Sequence, residues 1–165
     1  MIKWWRIDAS GALCALVALT TVHAQATSGA TAVVASEFIN EHAPYRSSHA
    51  STIAETAAGD LVAAWFGGTG EGNPDVGIWF ARHVKGHWEQ AVEIANGLQP
   101  DGTRDRSWNP VLLQVPKGPL FLFYKIGPAG HWQGMVKSSI DGGSTGSNFS
   151  VGCRVAVHFR THARA

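Results

Sequence analysis

Apolar residues come in short runs of strand length, divided by glycines, prolines and polar pairs. Residues 50–55 read as a strand, 56–60 as a turn and 61–66, Leu-Val-Ala-Ala-Trp-Phe, as a buried strand. A glycine-rich loop follows at 67–75. Residues 76–83 alternate toward a third strand, Lys85-Gly86 makes a turn, and 88–94 read as a fourth strand. Residues 96–107 form a polar loop rich in Asp and Arg. The pattern then resumes with a strand at 109–115, the turn Pro116-Lys117-Gly118-Pro119, the run Leu120-Phe121-Leu122-Phe123-Tyr124, and a strand at 135–139. Residues 36–45 are irregular, and Pro44 argues against a long helix there.

The chain repeats itself. Gly59-Asp60-Leu61-Val62-Ala63-Ala64-Trp65 aligns with Gly118-Pro119-Leu120-Phe121-Leu122-Phe123-Tyr124, and the turn glycine Gly86 corresponds to Gly143 at almost the same offset. Each unit reads strand, turn, strand, loop, strand, turn, strand. A four-stranded antiparallel unit repeated in this way is what a β-propeller blade requires. An ordinary β-meander that happens to repeat is the competing reading. The expected fold class is all-β, with about two four-stranded blades of a propeller.

Composition agrees with one globular domain: 165 residues, 45% hydrophobic and 15% charged. A formal net charge of +1 argues against nucleic acid as the main partner. Seven Trp and seven Phe suit both a β-sheet core and stacking on sugar rings. Lys3 and Arg6 precede a mostly apolar stretch at 11–22, and Val22-His23-Ala24 is a small-residue cleavage pattern. Residues 1–24 are therefore expected to be a secretory signal peptide, which places the mature chain in a secreted or periplasmic compartment. No other stretch reads as transmembrane. Cleavage would leave Cys153 as the lone cysteine, so no intrachain disulfide is expected. Residues 25–40 read as a flexible leader, 41–146 as the blades, and 147–165 as an atypical basic tail without acidic residues, either a strand at 151–159 or the product of a shifted reading frame.

The glycine-rich loop lacks the Lys-Ser/Thr of a phosphate-binding P-loop and no helix follows it, so a phosphate reading is rejected. The eight His are scattered, so neither a metal nor another cofactor is expected.

Ser139-Ile140-Asp141-Gly142-Gly143-Ser144-Thr145 resembles the Asp box, Ser/Thr-x-Asp-x-Gly-x-Thr-Trp, with Gly146 in place of the Trp. The Asp can accept backbone N–H bonds inside the turn, and Gly takes a backbone angle that a Cβ would oppose. Those residues are structural. Together with His49-Ala50-Ser51-Thr52-Ile53, Glu71-Gly72-Asn73-Pro74-Asp75-Val76-Gly77-Ile78-Trp79 and Arg106-Ser107-Trp108-Asn109-Pro110-Val111-Leu112, the box makes the chain similar to the sialidase superfamily, in its BNR-repeat, sialidase-like secreted branch. The resemblance covers residues 40–146.

What the resemblance implies is a retaining exo-α-sialidase-like glycoside hydrolase acting on terminal sialic or related acidic sugars. In that family an arginine cluster clamps the carboxylate, an Asp is acid/base, and a Glu-activated Tyr is the nucleophile. On this chain Asp75 is the candidate acid/base, with Glu71 second. A proton donor there calls for a raised carboxyl pKa. Arg46 or His49 is the candidate for the first clamp position, because a guanidinium fork matches a planar carboxylate. Arg106 is a clamp residue or a surface charge. Trp108 and Asn109 fall in the stretch that lines the pocket, where Trp108 either stacks on a sugar or packs in the core. A family propeller has six blades and this chain carries about two. The chain is therefore expected to be an N-terminal portion, weakly active or inactive by itself. A noncatalytic carbohydrate-binding module is the alternative. Either way the partner is a glycan.

Overall fold

The computed structural model describes residues 32–145 and 149–155, the last five by their backbone alone. The proposed signal peptide lies outside the described residues. So do residues 146–148 and 156–165, which hold the missing Trp position and the rest of the tail.

The described chain is all-β. β1 (Ser47–Glu55), β2 (Leu61–Gly68), β3 (Gly77–Val84), β4 (His87–Trp88) and β5 (Val92–Ala95) make the first antiparallel sheet. β6 (Gly97–Leu98) and β7 (Arg104–Asp105) form a small hairpin. β8 (Ser107–Gln114), β9 (Leu120–Ile126), β10 (Gln133–Ser139) and β11 (Ser150–Val155) make the second sheet in sequential order. This is the architecture of a partial sialidase-type β-propeller, with one sheet per repeat.

The repeat holds in detail. Thr56 N–H donates to Asp60 O and Gly59 N–H to Thr56 O; Val115 N–H donates to Pro119 O and Gly118 N–H to Val115 O. The two turns close alike with different left-handed residues, Gly59 at φ 88° and Lys117 at φ 57°. The register shifts between His49 and Thr52 against β2, and between Trp108 and Val111 against β9. Each first strand therefore carries the same bulge, and each bulge holds a left-handed non-glycine, Ala50 or Asn109.

Two expectations need correcting. The strand expected at 88–94 is broken into β4 and β5, which pair in succession with β3. Between them Glu89 N–H donates to Arg82 O and Ala91 turns into an apolar cluster with Ala63, Trp65 and Ala81. The polar loop expected at 96–107 contains the β6–β7 hairpin. Gln99 N–H donates to Thr103 O and Gly102 N–H to Gln99 O, the same closure as the two main turns. Gly97 permits it, since a Cβ there would lie 2.0 Å from Asp105 O.

The main core lies between the sheets. Val62, Ala64, Phe66, Ile78 and Phe80 from the first meet Leu112, Leu120, Leu122, Tyr124 and Ile126 from the second. Burying Phe66 and Phe80, both nearly inaccessible, stabilises by about 1.5–3 kcal/mol each. The opposite face of the first sheet is covered in part by Ile39 and Tyr45, packed on Trp65 and Trp79.

The Asp box closes β10 to β11. Ser139 Oγ donates to Asp141 Oδ1 and accepts from Gly143 N–H at 2.8 Å, while Thr145 Oγ1 donates to Asp141 Oδ2 at 2.8 Å. The Ser139 and Thr145 hydroxyls, joined by the Gly143 N–H, hold the Asp141 carboxyl below its ordinary value, against the upward push of burial. Gly143, at φ 80°, lies so close to Phe80 that a Cβ would stand 2.6 Å from the ring. Phe149, buried edge-on to Phe80 at 5.3 Å, supplies an aromatic between the sheets just after the box.

Candidate functional site

Strand alternation sorts the loops. The turns at 56–60, 85–86, 115–119 and 141–145 share one end of the sheets. The beginnings of β1 and β8, the loop at 69–76, the β6–β7 hairpin and the loop at 127–132 share the other. Ser107 N–H donates to Val76 O across the two sheets at this second end. All seven candidate residues, Arg46, His49, Glu71, Asp75, Arg106, Trp108 and Asn109, fall there, opposite the Asp box.

Three of them converge. His49 stacks on Phe66 with ring centroids 5.5 Å apart, and its Nδ1 lies 4.0 Å from Glu71 Oε2. Phe66, buried, also meets the half-buried Trp108, with ring centroids 6.0 Å apart and the rings tilted. Trp108 donates Nε1–H to Gly127 O at 2.8 Å, which fixes the indole plane. The glycine-rich loop passes over it: a Cβ on Gly72 would lie 3.6 Å from the indole edge.

The row continues into residues the motifs did not single out. Trp132 stands edge-on to Trp108 at 6.3 Å, and Lys125 Nζ sits 3.9 Å from the Trp132 ring centroid. Lys125 belongs to β9 at the position equivalent to Phe66 in β2. The repeat pointed to that position, but the change from aromatic to cation hid its relevance.

Asp75 is held, not free. Thr69 donates its N–H to Oδ2 at 2.8 Å and its hydroxyl to Oδ1 at 2.9 Å, and Asn73 Nδ2 donates to the same hydroxyl at 3.0 Å. Burial pushes the carboxyl up, but the Thr69 N–H and hydroxyl, the Asp75 N–H and the Arg104 guanidinium together hold it below the usual carboxylate value. In the chain by itself that is the opposite direction from the one a proton donor needs. Arg104 also donates to Asp75 O at 3.0 Å and pairs with Glu93, so the loop is tied to β5 and β7.

The remaining candidates are spread around this row. Arg46 is exposed at the entry to β1, and Asn109 is exposed in the β8 bulge. Arg106 accepts from Gly127 N–H through its backbone, and its Nε is buried without a partner among the described residues. A cleft of about 290 Å³ opens beside His49, lined by Ile39, Asn40, Ser48, Ala50, Ser51 and Trp65, at the lower end of small-molecule pockets.

Neither tyrosine has the setting of a nucleophile. Tyr45 OH accepts from Trp65 Nε1 and from Asn40 Nδ2. Tyr124 is buried in the core, where burial pushes its phenol pKa up. Among the described residues no group of three His, Cys, Asp or Glu is placed to hold a metal ion, and no helix is long and apolar enough to cross a membrane.

Residues 59–161 match the BNR repeat-like domain family. The chain belongs to this family. The match begins at Gly59, the closing residue of the first turn, and includes both copies of the strand–turn repeat from β2 onward. Membership fits the sialidase-like superfamily and its β-rich repeat fold. No curated protein matches the chain.

Proposed function

We propose that this BNR-family chain is the sugar-recognising portion of a sialidase-like glycoside hydrolase, and that by itself it binds a terminal acidic sugar without hydrolysing it. The observation that carries this reading is the continuous row His49, Phe66, Trp108 and Trp132, ending at Lys125. Aromatic faces accept the apolar face of a pyranose, and a cation at one end suits a sugar acid. Arg46 and Arg106, at the same end of the sheets, supply guanidinium groups within the same loop cluster. The ligand is a glycan, met outside the cytoplasm after export.

Binding is favoured over turnover by the state of the acidic and phenolic groups. Asp75 is a hydrogen-bonded carboxylate, and both tyrosines are engaged or buried. The test is calorimetric titration with sialosides and uronic-acid glycosides alongside a sialoside turnover assay. The expected result is saturable binding of an acidic sugar, weakened about tenfold or more by Trp108→Ala, with no turnover. A flat titration against the whole panel removes the reading. Turnover that Asp75→Asn abolishes would establish instead that the chain is an active hydrolase.

A further inference from the structure

Reactive side chains of another kind meet at the start of β1. Ser47 and His49 stand two residues apart on one strand, so their side chains share a face. Ser47 Oγ lies 2.9 Å from His49 Nε2. The other ring nitrogen, Nδ1, faces Glu71 Oε2 at 4.0 Å. A carboxylate on that side favours the proton on Nδ1 and leaves Nε2 to accept from the Ser47 hydroxyl. Hydroxyl, Nε2, Nδ1 and carboxylate, in that order, are the parts of a nucleophile, its general base and the group that orients the base. The sugar reading uses His49 as a ring in the row and gives Ser47 no part.

The surroundings hold this order in place. The His49 ring lies on Phe66 with the two planes only 17° apart. Glu71 is carried by a loop whose base is closed by Thr69 donating to both oxygens of Asp75, at 2.8 and 2.9 Å. The His49 and Glu71 side chains are 45% and 53% exposed, so a substrate can reach them. The cleft of about 290 Å³ opens at His49, and Ile39, Ala50 and Trp65 give it apolar walls that suit a short acyl chain. Ala50 and Ser51 also line it and have no partner in the β1–β2 register, because the bulge falls there. Their backbone amides border the space that a developing oxyanion would occupy.

We infer that this chain hydrolyses short-acyl carboxylic esters, with Ser47 as nucleophile, His49 as general base and Glu71 as the residue that positions His49. Ser47 Oγ attacks the ester carbonyl while His49 Nε2 takes its proton. The bond from the acyl carbon to the alkoxy oxygen breaks, and Nε2 returns the proton to the departing alcohol. Water then adds to the acyl carbon and gives a proton to Nε2. The bond to Ser47 Oγ breaks, Oγ recovers the proton, and a carboxylic acid leaves. The net reaction is ester plus water to acid plus alcohol, with nothing oxidised or reduced. The bond cleaved is an ester and not a glycosidic bond, so the activity stands apart from sugar recognition.

The experiment follows hydrolysis of p-nitrophenyl acetate, butyrate and octanoate by the full chain, alongside labelling with a fluorophosphonate and peptide mapping of the labelled residue. Wild type is expected to turn over the acetate and butyrate repeatedly, to act poorly on the octanoate, and to carry the phosphonyl group on Ser47. Ser47→Ala and His49→Ala are each expected to lower kcat by about a hundredfold or more, and the double variant to lose no more than either alone. Glu71→Gln is expected to lower kcat about tenfold with KM nearly unchanged, and Glu71→Asp to recover part of the loss. Circular dichroism checks that the variants fold, and Ser47→Thr replaces Ser47→Ala if that variant does not. Hydrolysis no faster than that of an equimolar histidine-containing peptide overturns the proposal. So does activity that survives Ser47→Ala, which marks His49 as the nucleophile, or a phosphonyl group found on another serine. The ester probes carry no sugar, so a flat glycan titration leaves this result unchanged.

Discussion

Ala50 and Asn109 share one backbone departure: each is left-handed, at φ 49° and 43°, in the equivalent bulge of the first strand of its sheet. Each follows the ring that flanks Phe66, His49 in one sheet and Trp108 in the other. The bulge re-aims both rings toward the same buried phenylalanine, which is how two separate repeats contribute to one row. A left-handed Ala carries a cost of about 1–2 kcal/mol, whereas Asn tolerates this region better. Ala50→Gly is therefore expected to raise stability by up to about 1 kcal/mol, and Asn109→Gly to leave it nearly unchanged. Urea unfolding of the three proteins measures the difference. A loss of stability in Ala50→Gly as large as a mid-strand glycine normally causes would contradict it.

Gly143 is fixed by two independent demands, its φ of 80° and the Phe80 ring that a Cβ would meet at 2.6 Å. Gly143→Ala is expected to destabilise by about 1–3 kcal/mol through forced repacking of the core. Combining it with Phe80→Leu should recover part of that loss, because the smaller side chain yields the space. A double-mutant cycle in denaturant reads the coupling, and strictly additive effects would show that the contact is not the cause.

The carboxyls of Asp75 and Asp141 are both held below their ordinary value. A lowered folded-state pKa contributes stability above the unfolded value of about 3.9 and loses it as pH falls through the lowered folded value. Melting temperature is therefore expected to be flat from neutral pH down to about 5 and to fall below that. Asp141→Asn should lower stability at neutral pH and flatten the acid limb. An unchanged acid limb in that variant would remove Asp141 from the account.

Trp108 combines a hydrogen bond to Gly127 O with stacking surface. Trp108→Phe keeps the ring and leaves a buried carbonyl without its donor, a cost of about 1–3 kcal/mol in stability. Sugar affinity should fall less in Trp108→Phe than in Trp108→Ala. Equal losses of affinity would assign the effect to loop disorder and not to the ring.

Much of the fold was legible because it depends on local chemistry. Gly59, Lys85-Gly86, Pro116-Lys117 and the Asp box each set a turn by residues adjacent in the chain. The apolar runs between them can only be strands that bury one face or both. The break between β4 and β5 was not legible, because it follows from Ala91 finding a pocket beside Trp65, far away in sequence. The β6–β7 hairpin was hidden for a related reason: its strands are two residues each and its polar composition reads as loop.

The sequence by itself determined that this is a repeated antiparallel β-unit of the BNR type, with glycine-marked turns between its strands. Periodicity and turn chemistry are properties of neighbouring residues, so they survive in the linear text. Only the tertiary structure decided that Phe66 joins His49 to Trp108, that Trp132 and Lys125 extend the row, and that Asp75 is tied to Thr69. Those relationships depend on how two sheets and their loops meet in space, where the strand bulges and the packing of large rings, not sequence spacing, set the distances.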